Sequence, residues 1–207
     1  MTGLKNKVQS ANLLIDPSAN LSVAQHGDTI FIDLPPKAPD HPITVVALQI
    51  EGAVKVDPPV VTEDSTGKLE LNYQTAVTYG NAKTRFNRKG GFHISKWTAP
   101  EDSVNWVIDV KNPGSFKVQI SYSAIKKSEG NPFEITIGNS SLKPTVVYTG
   151  TLFEYHEFPV GYINIPKAGK YTVTIKPLKL SDSYLMYLSS ITLLPVPAKK
   201  VEGWGIN

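Results

Sequence analysis

The stretch from Tyr79 to Trp97, YGNAKTRFNRKGGFHISKW, holds the side chains most suited to recognition chemistry. It offers Tyr79, Arg85, Asn87, His93 and Trp97 around Gly90-Gly91, a pair that reads as the opening of a flexible loop. A second mix, Phe153-Glu154-Tyr155-His156-Glu157-Phe158, adds Tyr155 and His156. Flat aromatic rings beside Asn, Arg and His suit a ligand with apolar C–H faces and many hydroxyls, as a sugar has. Trp97 follows a polar loop and precedes Thr98-Ala99-Pro100, a setting that leaves exposure and burial both open; exposed, it would stack on such a ligand.

Other chemistries find no support. His156-Glu157 could begin a zinc-binding HExxH, but residue 160 is Val, so the second ligand is missing. His26, His41, His93 and His156 show no metal-ligand spacing. The absence of cysteine excludes disulfides, thiolate metal sites and a cysteine nucleophile. No G-x-S-x-G elbow and no phosphate-cradling glycine loop occurs. Glu154, Glu157 and Asp182 are the carboxylates near aromatic strand ends. A glycosidase pair needs a separation of about 5 to 9.5 Å, which spacing along a chain does not set. The 21 basic and 18 acidic residues leave a net charge of +3, too mild for a nucleic-acid surface. The cluster Lys83, Arg85, Arg88 and Lys89 reads as a solvated loop.

The elements that must carry these residues are strands. No window has helical apolar spacing with a cap. Strands are expected near 7–14, 28–34, 43–50 and briefly 53–56, then at 69–79, 104–110, 115–122, 132–138, 142–148, 153–165, 170–176 and 184–194. The clearest signal is WVIDVKNPGSFKVQISY, residues 106–122, which alternates on both sides of Asn112-Pro113-Gly114 and predicts an antiparallel hairpin with Trp106 in the core. VDPPVVTEDSTGK, residues 56–68, lacks periodicity and reads as a linker. The expected organisation is a small antiparallel β domain over 1–56, a linker over 57–67, a β-sandwich over 68–197 and a tail over 198–207 that holds Trp204. No stretch approaches the roughly 20 apolar residues of a membrane-spanning helix, and MTGLKNKVQS has no signal-peptide h-region.

Two resemblances add to this reading. VQSANLLI and GDTIFIDLPPKAPDHPITVVALQIEG, within residues 5–52, resemble the C-terminal β domain of family 29 α-L-fucosidases. In that family the catalytic residues lie in an N-terminal barrel, so none carries over. KLELNY, GGFHISKW, VNWVIDVKNPGSFKVQISYS, GYINIPKAGKYTVTIKP and YLSSITLLP, within residues 68–196, resemble galactose-binding-like, jelly-roll carbohydrate-binding modules of families 6 and 35. Such modules often hold a structural Ca²⁺ through carboxylates on their first and last strands. Glu70 fits the first, but the last reads Leu188-Ser189-Ser190-Ile191. With serines in place of the expected acid, no tight calcium site and no other cofactor is expected.

The resemblances imply a non-catalytic accessory region, all-β, of an exported α-L-fucosidase-like glycoside hydrolase. Its partners would be a glycan and the catalytic domain of the same polypeptide, with no nucleic acid and no membrane. Its location would be periplasmic or extracellular, with any leader outside this sequence. The implied contacts are Tyr79, Arg85, Asn87, His93 and Trp97, with Tyr155 and His156 as a second cluster. The alternative is a structural or oligomerisation sandwich without sugar affinity, favoured if Trp97 is buried. An autonomous enzyme built on Glu154, Glu157 and Asp182 is the third reading.

Overall fold

The computed structural model describes residues 1, 3–39, 43–180 and 184–197. His41, Asp182, Trp204 and the expected tail lie outside them. Contacts divide the chain into two compact units, Met1–Asp57 and Pro58–Asn207.

The first unit is built from β1 (Val8–Leu13), β2 (Asn20–Leu21), β3 (Val23–His26), β4 (Thr29–Ile32) and β5 (Val46–Ile50). β2, β1 and β5 form an antiparallel sheet, and β3 and β4 form a hairpin. Ala11, Leu13, Ile30 and Leu4 supply its small buried core. Buried Asn6 organises one end. Its Nδ2 donates to Glu51 O and Ala53 O at 2.8 Å each, and its Oδ1 accepts from Lys55 N. Residues 53–56 make no strand; Val56 forms a lone bridge with Leu4.

The second unit is a β-sandwich. Its strands are β6 (Val60–Thr62), β7 (Leu69–Asn72), β8 (Val77–Tyr79), β9 (Lys83–Asn87), β10 (Gly91–Ser95), β11 (Ser103–Val110), β12 (Gly114–Ser123), β13 (Phe133–Ile137), β14 (Ser140–Leu142), β15 (His156–Ile165), β16 (Gly169–Pro177) and β17 (Tyr187–Pro195). One sheet runs β15-β12-β17-β10-β9, with β7 also on β17. The other runs β14-β13-β16-β11-β6, with β8 also on β11. All pairings are antiparallel except that of β6 with β11. The alternation anticipated for residues 106–122 sets the core, but the expected antiparallel hairpin does not form. Asn112-Pro113-Gly114 carries the chain from one sheet to the other, because the apolar faces of β11 and β12 are buried against each other between the sheets rather than paired edge to edge. Val104, Trp106, Ile108 and Val110 from β11 face Phe116, Val118, Ile120 and Tyr122 from β12 across the sandwich, and all are buried. Trp106 Nε1 donates to Asn72 O at 2.8 Å, which satisfies the one polar atom of the indole.

Four further expectations need correction. Val60–Thr62, inside the expected linker, form a strand, because a β-branched run after Pro58-Pro59 finds a free edge of β11. Residues 69–79 are two strands in opposite sheets. Asn72 Oδ1 accepts from Gln74 N at 2.9 Å, a side-chain-closed turn that ends β7. The expected loop between Tyr79 and Trp97 is mostly the hairpin β9–β10, with Phe92 opposite Phe86 and His93 opposite Arg85. The strand expected at 142–148 stops at Leu142, and that expected from 153 begins at His156.

Candidate functional site

The hairpin β9–β10 separates the sequence-selected residues by face. Lys83, Arg85 and Asn87 alternate onto one side of β9, opposite Ser95, His93 and Gly91 on β10. Thr84 and Phe86 take the other side. There Phe92 stacks on Tyr73 at 4.7 Å and tilts against Phe86 at 5.0 Å.

His93 is buried, and its ring stacks on Tyr187 at 4.3 Å with an interplanar angle of 8°. Its Nδ1 lies 3.3 Å from Gly91 O. Burial pushes the His93 pKa below the usual imidazole value, and the Arg85 charge pushes the same way, against the Gly91 carbonyl. His93 is therefore neutral packing at physiological pH.

Tyr155 closes over the hairpin turn. A β-carbon on Gly90 would lie 3.0 Å from the Tyr155 hydroxyl, so only glycine allows this approach without a shift. The Tyr155 oxygen is buried and lacks a hydrogen-bond partner. Burial, with a smaller push from Tyr187, raises its pKa above the ordinary phenol value. Lys89 Nζ sits 5.5 Å from the Phe153 ring centroid. The two sequence clusters thus meet at the turn through Tyr155 and Phe153. His156 is exposed at the start of β15, loosely stacked on Phe158 at 6.4 Å. Glu154 and Glu157 are exposed as well.

Trp97 does not join this surface. It is 0% exposed and belongs to the sandwich core, with its Nε1 donating to Ile94 O at 3.4 Å. Two local features accompany this inward turn. Lys96, the residue before it, has φ 69° and is the one non-glycine residue with positive φ among those described. Beyond it, the buried carboxylate of Asp102 accepts from Thr98 N at 2.6 Å, Ala99 N at 2.9 Å and Asn81 N at 2.6 Å. These bonds tie the loop down and leave the indole no ligand-facing side.

Tyr79 lies on the other sheet and is 49% exposed. It lines a cleft of about 170 Å³ with Pro58, Val77, Asn105, Val107 and Thr172. The topology makes this cleft. β8 pairs with β11 at Ser103–Asn105 and β6 pairs with the same edge at Val107–Asp109, so Trp106 has no strand partner on that edge. Asn105 alternates away from the core into this gap. Its Oδ1 is buried and accepts no hydrogen bond. Residue-by-residue reading overlooked Asn105, although the alternation of VNWVIDV already turns it opposite to Trp106. A larger cavity of about 350 Å³ beside Asn139, Asn164 and Tyr171 is less suited to stacking. Tyr171 is fixed there by its hydroxyl, which donates to Lys167 O at 2.7 Å, and by contact with Gly138.

Several solved structures are similar to this chain. A family 35 carbohydrate binding module from Clostridium thermocellum matches with TM-score 0.52 and 15% identity, over 62% of this chain and 98% of that one. The Podospora anserina GH26-CBM35 β-(1,4)-mannanase matches with TM-score 0.52 and 16% identity, over 65% of this chain and 29% of that one. An α-L-fucosidase from Vibrio sp. strain EJY3 matches with TM-score 0.46 and 16% identity, over 96% of this chain and 36% of that one. The chain therefore spans about a third of the length of these two enzymes. At such identities the modules establish a common fold, an antiparallel β-sandwich of the carbohydrate-binding-module type. No curated protein sequence matches the chain. Residues 67–195 match the profile described as Domain of unknown function (DUF5077), and the chain belongs to that family.

Proposed function

We propose that this chain is a non-catalytic carbohydrate-binding accessory region, and that its sugar site is the cleft between β6 and β8. The observation that carries the reading is the pairing of a half-exposed ring, Tyr79, with a buried, unpartnered acceptor, Asn105 Oδ1. An orphaned buried acceptor costs about 1–3 kcal/mol. A sugar hydroxyl donating to it would recover that cost while the sugar's C–H face lies on Tyr79. In this reading the first unit is a fucosidase-type C-terminal β domain, as residues 5–52 resemble. The whole protein is then an exported α-L-fucosidase-like glycoside hydrolase, periplasmic or extracellular. The accessory region works by attachment, raising the local concentration of glycan around the catalytic domain.

The test is calorimetric titration of the chain with galactose-containing and fucosylated oligosaccharides. Wild type should bind, and Tyr79→Ala and Asn105→Ala should each weaken binding about 10-fold, or about 1.4 kcal/mol, without changing the fold. Absence of binding across the panel, or full binding by Tyr79→Ala, sinks the site. Turnover of an aryl fucoside by the chain would refute a non-catalytic role. The second reading, a structural or oligomerisation sandwich, draws on the burial of Trp97.

A further inference from the structure

Residues 71–100 contain Lys83, Arg85, Arg88, Lys89 and Lys96 and not one carboxylate. The sequence alone suggests a wet loop. The hairpin gives these charges positions. Lys83 and Arg85 are two apart on β9 and share a face, about 7 Å from one another along the strand. Lys83 lies opposite Ser95, the last residue of β10, so Lys96 follows directly beyond the end of the neighbouring strand. Lys83, Arg85 and Lys96 line one pocket of about 290 Å³ with Asn81 and Thr98.

The local acids do not neutralise them. Asp102 is buried and its oxygens are occupied by three backbone N–H groups. No ion pair engages Lys83, Arg85 or Lys96 among the described residues. Lys96 Nζ lies 5.9 Å from the Tyr184 ring centroid, a contact that positions the ammonium without cancelling its charge. Its backbone holds the left-handed conformation at φ 69°, which costs a non-glycine residue of this kind strain. β9 is an edge strand, where charged side chains also deter strand addition. That role asks for cations along an edge, not for three of them around one concavity.

We propose that Lys83, Arg85 and Lys96 form an anion subsite that takes the sulfate ester or carboxylate of an acidic polysaccharide. The inference rests on the sugar-binding reading above and adds the class of glycan. Arg85 supplies a planar fork that matches a two-oxygen anion, and the two ammonium groups supply point charge from its flanks. Asn81 and Thr98 offer hydrogen bonds to neighbouring hydroxyls. Three cations gathered on a small pocket, in a chain of net charge +3, fit a single anionic substituent better than the phosphate track of a nucleic acid, which needs a basic stripe.

The experiment is calorimetric titration of the full chain at low and at moderate salt. The probes are a sulfated galactan oligosaccharide, its desulfated parent, an oligogalacturonate and a single-stranded DNA 20-mer. Either acidic glycan should bind ~10-fold or more tightly than the neutral parent, the scale of one charge-assisted hydrogen bond. The tighter of the two identifies the substituent. The advantage should shrink with salt. Lys83→Ala/Arg85→Ala, both exposed, should abolish the advantage and leave neutral binding unchanged, whereas Tyr79→Ala should weaken both. Equal affinity for charged and neutral glycans overturns this inference and leaves the sugar-binding reading standing. So does a charge preference that survives in the double variant. DNA binding as tight as that of the acidic glycans also overturns it, since that would be unspecific counter-charge. Absence of binding to every glycan overturns both.

Discussion

Gly80 and Asp102 are locked together across the crossover from β8 to β9. Gly80 has φ +68°, and a β-carbon there would overlap Asp102 Oδ1 and reach 3.3 Å from Asp102 Cα. The carboxylate so enclosed accepts the backbone N–H groups of Asn81, Thr98 and Ala99. One contact therefore joins the end of the strand bearing Tyr79, the start of the basic hairpin and the loop that follows Trp97.

This arrangement predicts that Gly80→Ala destabilises the sandwich by about 2–4 kcal/mol, the sum of left-handed strain and a displaced carboxylate. Asp102→Ala should cost about 3 kcal/mol by stranding three N–H donors. For a chain of this size that lowers Tm by about 4–16 °C for Gly80→Ala and about 6–12 °C for Asp102→Ala. Thermal denaturation followed by circular dichroism checks both, and an unchanged Tm in Asp102→Ala would remove the carboxylate from its organising role.

Trp97 and Tyr79 should separate stability from binding. Trp97→Ala empties a large core site and should cost about 3–5 kcal/mol. Tyr79→Ala removes a half-exposed ring and should leave Tm within about 2 °C. Denaturant unfolding alongside glycan titration distinguishes them. A stable Trp97→Ala variant that has lost only binding would contradict the burial described here.

Lys96→Gly should raise Tm by about 2–4 °C, because glycine relieves about 1 kcal/mol of left-handed strain. The same change should weaken acidic-glycan binding. A drop in Tm would mean that the Lys96 stem contributes more packing than its backbone loses.

His93 predicts an acid-sensitive step. Its folded pKa is depressed by burial and by Arg85, so the unfolded chain takes up the proton first as pH falls. The neutral-histidine contribution to stability is complete above the ordinary pKa of about 6.5 and declines below it, toward the lower folded value. Denaturant midpoints measured from pH 7.5 to 4.5 should fall across that window in wild type. In His93→Gln, which has no titrating ring, that decline should disappear while other carboxylate-linked losses remain.

The inward faces of β11 and β12 were legible in the sequence because strict alternation in WVIDVKNPGSFKVQISY makes one face of each strand apolar. The expected hairpin was not what formed, since alternation does not say whether two such strands pair or face each other from opposite sheets. Period-two burial then follows for Val104 to Val110 and Phe116 to Tyr122. β9 was not legible. KTRFN has no apolar alternation, since an edge strand paired only with β10 needs no buried face, and four of its five residues are exposed. Val60–Thr62 were hidden for a related reason: three residues become a strand only when an open edge of β11 receives them.

Residue type therefore determined a good deal: an all-β chain, a core built around Trp106, and a candidate surface between Tyr79 and Trp97. Tertiary structure alone decided which of those aromatics could meet a ligand. Trp97 turns inward beside a left-handed Lys96 and a loop held by Asp102, contacts that join residues up to 21 positions apart. Asn105 becomes an unpartnered acceptor because β6, parallel to β11, and β8, antiparallel to it, share one edge of β11 and leave a gap. Alternation is a local property that a sequence displays directly. A cleft is made by which strands meet, and that is settled only when the whole sandwich closes.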